Sequence, residues 1–414
     1  MPRYNARRRA APLAGRGGRK IGIYLEPSAP GAALGGGSYT AAILVATLGR
    51  LHHMEIVHHN PSLTLDRLSA FAGADLGDLR LRHIEKAPRP DATHRNLWRR
   101  YQEQRCWSAA LSEPYDLFIN LTHGIPPFCH AARGALIVLF PEIDRARLWP
   151  WSYGAPAGRW LLRRQLRGAY YDWEWERRFG SYQVKASISR FAQQWTKHWW
   201  GIDSAVVYPP VDTRFSHAEK SDLILSVGRF TASRRSKLQL EMATAFGELE
   251  RGGMRGWEYI SAGALGVRHE DRAYFEQVGG VAAGRGVRLI ANIERAHLRS
   301  LYARAKVFWH AAGYGADATA SPQFTEHFGI VTVEAMAAGC VPVVINRGGQ
   351  PEIVEHGVSG FLWDTLDELG TYTQRLASDD ALRARMADAA RARARHFDRD
   401  EFATRVTRLV GPLL

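Results

Sequence analysis

Between Asp222 and Asn346 the chain alternates short apolar runs with longer stretches of helical period. "DLILSVGRF", "EYISAGAL", "VRLIAN", "KVFWHAA" and "VPVVIN" read as strands. "SKLQLEMATAFGEL" and "RAHLRSLYARA" read as helices between them. Strands this apolar on both faces belong in a parallel sheet covered by helices on each side, and this requirement excludes most other architectures. The first half repeats the alternation more loosely. "KIGIYL" (Lys20–Leu25), "MEIVHH", the strand of Tyr115–Pro127, that of Gly134–Glu142 and "SYQVKASISRFAQQWTKHWW" carry it there. At "AVVYPPVDTRF" prolines and polar residues end one series before the next begins, placing a boundary near Val211. With 414 residues there is room for two ordinary domains. The expectation is an α/β chain of two Rossmann-like, doubly wound domains facing a central cleft, with ligands beyond the carboxyl ends of the strands. The sequence holds no internal repeat.

The first twenty residues carry seven basic side chains, no acidic one and no apolar core of a secretory signal, and 1–19 read as a disordered basic tail. No apolar run is long enough to span a bilayer. Cys106, Cys129 and Cys340 are too scattered for a metal site or a disulfide framework, which suits a reducing, cytoplasmic setting. The net charge of +14 calls for an acidic partner (nucleic acid, anionic lipid or a phosphorylated substrate) and does not choose among them.

"FTEHFGIVTVEAMAAGC" (Phe324–Cys340) sets Glu326 and Glu334 eight residues apart. An Ala-rich helix is expected from Ile330, stopped by Gly339. At about 1.5 Å per helical residue the carboxylates lie roughly 12 Å apart, too far to share one metal ion. They suit the two ends of an elongated ligand, with the free N–H groups of the first helical turn as an anion cradle between them. A glutamate near a helix start is also stabilising by itself, by ~0.3–1 kcal/mol.

In "SVGRFTASRRSKLQ", Arg229 follows Gly228 at a strand end and Lys237 opens the next helix, where two cations would meet a pyrophosphate. A solvated basic loop, with Arg234 and Arg235, is the competing reading. Two histidines end strands: His123 in "LTHGIPP" and His310 in "KVFWH". Either can face the cleft, and either can be structural. The glycines in "EPSAPGAALGGGSYTAAILVATLGRL" form a loop before a helix from about Ser38, without the G-x-G-x-x-G spacing of a dinucleotide fingerprint.

The order of these features resembles the retaining family 4 glycosyltransferases, which have the GT-B fold. The resemblance is specific in "EHFGIVTVEAMAAGCVPVVINRGGQPEIVEHGVSGFLW", supported by "ILSVGRF…SKLQ" and "VVYPPVD", and looser in the first half. It implies an acceptor domain at 20–211, a nucleotide-sugar donor domain at 212–395 and, at 396–414, a helix crossing back to the first domain. It implies further that Arg229 and Lys237 neutralise the donor diphosphate and that Glu326 binds the donor sugar. Backbone amides near Phe328, Gly329 and Ile330 would meet sugar or phosphate, Glu334 would hold the ribose hydroxyls, and Gly36 and Gly37 would let the first domain approach the donor. Many family members carry a histidine where this chain has Leu139-Phe140-Pro141, so the general base is unassigned. His123 is the candidate at a neighbouring strand end, and the leaving phosphate is the other.

Two charge-assisted hydrogen bonds and a helix dipole can together supply about 5–8 kcal/mol to a departing nucleoside diphosphate. No metal is then required, and the sequence has no convincing Asp-x-Asp. The expectation is a metal-independent, cofactor-free, retaining transfer of a hexose from a UDP- or GDP-sugar to a glycan or lipid-linked acceptor at the cytoplasmic membrane face. A sugar-nucleotide epimerase of related fold, a sugar-nucleotide binder without catalysis and a basic nucleic-acid-binding protein are the alternatives. For the last there is no RNA-binding or recognition-helix motif, so no nucleic acid is expected. "RWLLRRQLRGAYYDWEWERRF" (Arg159–Phe179), after "WPW" at 149–151, reads either as a helix with an aromatic core face or as one that docks on an anionic membrane surface.

Overall fold

The computed structural model describes residues 18–26, 34–84, 96–142, 159–233 and 236–414, without the side chains of 159–167. Most of the basic tail, Trp149–Trp151, Arg234 and Arg235 lie outside the described residues.

The first half runs β1 (Lys20–Leu25), α1 (Gly36–Leu48), β2 (His53–His58), α2 (Leu65–Ala72), β3 (Arg80–His83) and α3 (Leu97–Ser112). It continues through β4 (Leu117–Thr122), β5 (Arg133–Val138), α4 (Arg159–Gly180), β6 (Val184–Ser187), α5 (Arg190–Trp200) and β7 (Ala205–Val206). The strands form one sheet in the order β3-β2-β1-β4-β5-β6-β7. The second half runs β8 (Ser221–Val227), α6 (Gln239–Arg251), β9 (Glu258–Gly263), α7 (His269–Ala282), β10 (Val287–Ala291), α8 (Arg295–Arg304) and β11 (Ala305–His310). After these come α9 (Ile330–Ala337), β12 (Val341–Ile345), α10 (Gln350–Ile353), β13 (Phe361–Trp363), α11 (Leu366–Ser378), α12 (Asp380–Ala394) and α13 (Arg399–Val410). Its sheet order is β10-β9-β8-β11-β12-β13. Every pairing in both sheets is parallel. The strand order reverses between β1 and β4 and again between β8 and β11, and a doubly wound sheet opens its ligand crevice at such a point.

The two-period of a strand explains why these runs are apolar on both faces. Along β8, Leu223, Leu225 and Val227 join the core shared with the first domain, whereas Ile224 joins a separate core with Met242, Trp309 and Trp363. Val211, at the expected boundary, bridges Asp398, so the chain entering the second domain is tied to the segment leaving it. From there α13 returns to α1. Arg399 donates to the Tyr39 hydroxyl at 2.9 Å and to the Gly73 carbonyl at 3.1 Å.

In α4 the core reading holds for Tyr171, Trp175 and Phe179, which are buried. Glu174 and Arg178 are buried too, Glu174 pairing with both Arg178 and Arg100. Trp173 is 37% exposed and Trp98 on α3 is 58% exposed. Among the described residues no helix is long and apolar enough to cross a membrane, and the three cysteines are free.

Candidate active site

The wall of the second domain is built at the reversal point between β8 and β11. Beyond β8, the stem of Lys237 lies across Gly228 so closely that any side chain there would collide with it. The Lys237 ammonium pairs with Glu326 Oε2, and His310 Nε2, at the end of β11, lies 3.0 Å from the same oxygen. Burial favours a protonated Glu326, but the Lys237 charge and the His310 hydrogen bond outweigh it and hold the carboxyl well below its ordinary range. Burial also lowers the His310 pKa, against the pull of Glu326. A neutral ring beside a carboxylate donates from Nε2, which leaves Nδ1 as a buried acceptor without a partner among the described residues. Arg229 is exposed and makes no ion pair among the described residues.

Gly329 precedes α9 with φ of +121°, a conformation closed to most side chains, and a Cβ there would also press on the buried amide of Gln350. No side chain caps α9; the Thr332 amide donates to the Gly329 carbonyl at 3.0 Å, and those of Ile330 and Val331 have no partner among the described residues. The Phe328 side chain is buried against Tyr208 and Phe397, which leaves its backbone as the part a ligand can meet.

Gly36 and Gly37 differ from expectation: they are not loop residues but the first two of α1, whose start also lacks a side-chain cap. A Cβ on Gly36 would lie 3.2 Å from Ile330 Cδ1. The Ile330 side chain, at the uncapped start of α9, therefore packs on Gly36, at the uncapped start of α1 in the other domain. Gly37 packs in the same way against Leu139.

Glu334 lies further along α9, where Tyr302 donates to its Oε2 at 3.2 Å. Burial raises its pKa despite Arg295, Arg299 and the Tyr302 hydroxyl. The two glutamates thus sit in separate environments.

On the first-domain side, His123 follows β4 with Nδ1 3.5 Å from Glu142, and its ring lies 6.2 Å from that of His327. His327, beside Glu326, stacks on Phe140 at 3.9 Å and carries the second domain onto the first. Glu26, just after β1, accepts hydrogen bonds from the backbone of His123 (2.6 Å) and Gly124 (3.0 Å). Glu352, in the "GGQPE" stretch, caps α5 of the first domain through the amides of Arg190 (2.8 Å) and Phe191 (2.7 Å). Sequence reasoning missed Glu26, Glu142 and Tyr302. Position at a strand end was the one available signal for Glu26; Tyr302 gave none.

The family model described as glycosyl transferases group 1 matches residues 212–393. The GDP-Man:Man(3)GlcNAc(2)-PP-Dol alpha-1,2-mannosyltransferase of Dictyostelium discoideum is 27% identical over 261 residues, 56% of this chain and 49% of that protein. The D-inositol 3-phosphate glycosyltransferase of Xylanimonas cellulosilytica is 40% identical over 97 residues, 23% of this chain and 22% of that one. The chain thus spans half or less of the length of these curated relatives. Among solved structures, a glycosyltransferase from Rickettsia africae aligns with a TM-score of 0.64 at 15% identity, covering 96% of this chain and 99% of that one. Anabaena Alr3699/HepE in complex with UDP and glucose aligns with a TM-score of 0.63 at 17% identity, over 95% and 100%. Residues 212–393 are thus similar to the glycosyl transferases group 1 family, and the two parallel sheets make the GT-B fold.

Proposed function

We propose that this protein transfers a hexose, with retention of configuration and without a metal, from a UDP- or GDP-sugar to a glycan or lipid-linked glycan at the cytoplasmic face of a membrane. The observation that carries the reading is the meeting of two uncapped helix starts at Gly36 and Ile330. Each start bears a partial positive charge of roughly half an elementary unit. Brought together they repel, and an anion between them relieves the repulsion. Lys237 and Arg229 add two full cations on one side, enough for a diphosphate. The names of similar proteins support the substrate class: a GDP-mannose donor and a PP-Dol acceptor for one, UDP and glucose bound in another.

In this reading Arg229, Lys237 and the α9 amides take up the charge that builds as the bond from sugar C1 to the diphosphate breaks. Glu326 holds sugar hydroxyls and Glu334 the ribose diol. The acceptor oxygen bonds to C1 on the face the diphosphate leaves, and its proton passes to the departing phosphate oxygen. His123, steadied by Glu142, lies on the acceptor side. The exposed Trp98 and Trp173, with Arg177 over the Trp173 ring, suit an anionic bilayer surface that would present a lipid-linked acceptor.

The test begins with thermal shifts in a panel of UDP- and GDP-sugars, since a bound ligand raises the melting temperature by mass action. Transfer to candidate acceptors is then followed with and without EDTA, and the product anomer is read by NMR. Stabilisation by one sugar nucleotide and an unchanged rate in EDTA are expected. Conversion of the sugar nucleotide with no acceptor present would favour the epimerase instead, and an inverted anomer would refute retention.

A further inference from the structure

Between Arg229 and Lys237, residues 230–233 and Ser236 are described, and they are held from α7 and α6. The first part is pinned by α7: Asp271, itself buried, accepts from the Ala232 amide at 3.0 Å, and Phe275 meets the Phe230 ring edge-on at 4.8 Å. The second part is pinned by Tyr274, on the same face of α7. Ser236 Oγ donates to the Tyr274 hydroxyl at 3.2 Å, the Leu240 amide donates to it at 3.3 Å, and it donates to Gln239 Oε1 at 3.3 Å. Gln239, buried at the start of α6, closes the circuit. Its Nε2 reaches back to the carbonyls of Arg229 (3.1 Å) and Gly228 (3.3 Å). Between the two cations and this circuit sits Leu238, at φ +58° and ψ 44° with its amide on Ser236 Oγ at 3.1 Å. A leucine in the left-handed region is costly and persists only where its surroundings impose it. The circuit is what imposes it, and the turn at Leu238 aims the Lys237 side chain back across Gly228.

We infer that Tyr274 and Gln239 are positioning residues. They fix the distance and direction of Arg229 and Lys237 and thereby set the grip on the diphosphate, without touching the ligand. This rests on the donor-binding reading above. It goes beyond that reading in making residues of α7 and of the start of α6 a determinant of diphosphate affinity.

The experiment compares nucleotide binding by calorimetry in the full-length wild type and in Tyr274→Phe, Gln239→Leu and Ser236→Ala. The probes are UDP and GDP against uridine and guanosine. Each variant is expected to weaken the diphosphate by about tenfold while leaving the nucleoside within a factor of about two. A merely structural role would weaken both together or neither. Ser236→Ala changes a partly exposed hydroxyl, so it reports even where a buried replacement unfolds the chain. Arg229→Ala and Lys237→Ala serve as the reference. If they weaken the diphosphate and none of the three variants does, the positioning role is overturned and the donor reading stands. If Arg229→Ala and Lys237→Ala themselves bind UDP and GDP as the wild type does, the donor reading fails and the inference with it.

Discussion

Lys237 and Glu326, 89 residues apart in sequence, form an ion pair whose shared oxygen also accepts from His310 at 3.0 Å. Without a ligand, each of the two side chains proposed to hold the donor neutralises the other. In the proposed reading, a diphosphate that draws Lys237 away would leave Glu326 with His310 alone and with lone pairs open to sugar hydroxyls, which would couple diphosphate and sugar binding through one salt bridge.

Glu326→Ala and Arg229→Ala are accordingly expected to lower transfer by at least about a hundredfold, the scale of one or two lost charge-assisted hydrogen bonds. Arg229 is exposed and makes no ion pair among the described residues, so Arg229→Ala should leave the melting temperature nearly unchanged, whereas Glu326→Ala also removes the partner of Lys237 and His310 and should melt lower while keeping its circular dichroism. Near-normal turnover in either variant would remove the role assigned to that residue.

Glu334 gives a pH signature. Its carboxyl pKa is raised in the fold, so the native state binds that proton more tightly than the unfolded chain does. The contribution to stability is complete below the unfolded value near 4.5 and is lost as pH rises through the raised folded value. Glu334→Gln, which keeps a neutral acceptor for Tyr302, should therefore melt higher than the wild type at pH 8 and at about the same temperature at pH 4. It should also bind the nucleoside diphosphate less well at pH 8, because a ribose diol hydrogen-bonds a carboxylate more strongly than an amide. A variant melting below the wild type at pH 8 would contradict this.

Gly329→Ala tests the entry to α9. Strain at φ +121° and the contact with Gln350 are expected to cost about 1–3 kcal/mol. Chemical denaturation should show the lower midpoint, and donor affinity should fall with it, since the same backbone presents the helix amides. An unchanged midpoint would mean that the loop relaxes freely.

For the membrane reading, Trp98→Ala combined with Trp173→Ala is expected to reduce sedimentation with vesicles containing anionic lipid by about tenfold, with transfer to a soluble acceptor preserved. Equal binding of wild type and double variant would place any membrane contact elsewhere.

The sequence by itself determined the architecture and the donor-side candidates. Strands buried on both faces carry apolar runs, as Leu223–Leu225 of β8, Val307–Trp309 of β11 and all of β12 do, so these strands could be picked out directly. Where that constraint lapses the reading failed. The edge strand β3, "RLRH", has no fully buried residue and looks like loop, and β7 is only two residues long. Glu326, Glu334, Arg229 and Lys237 were visible because each sits at a fixed offset from a strand end or helix start. Only the tertiary structure decided what they touch: that Lys237 meets Glu326, that Gly36 stands against Ile330, that Leu139 packs on Gly37, and that Tyr274 and Gln239 hold the cation loop. These are single contacts between residues distant in the chain. Local periodicity records whether a side chain is buried, but not which partner the folding of two sheets will bring to it.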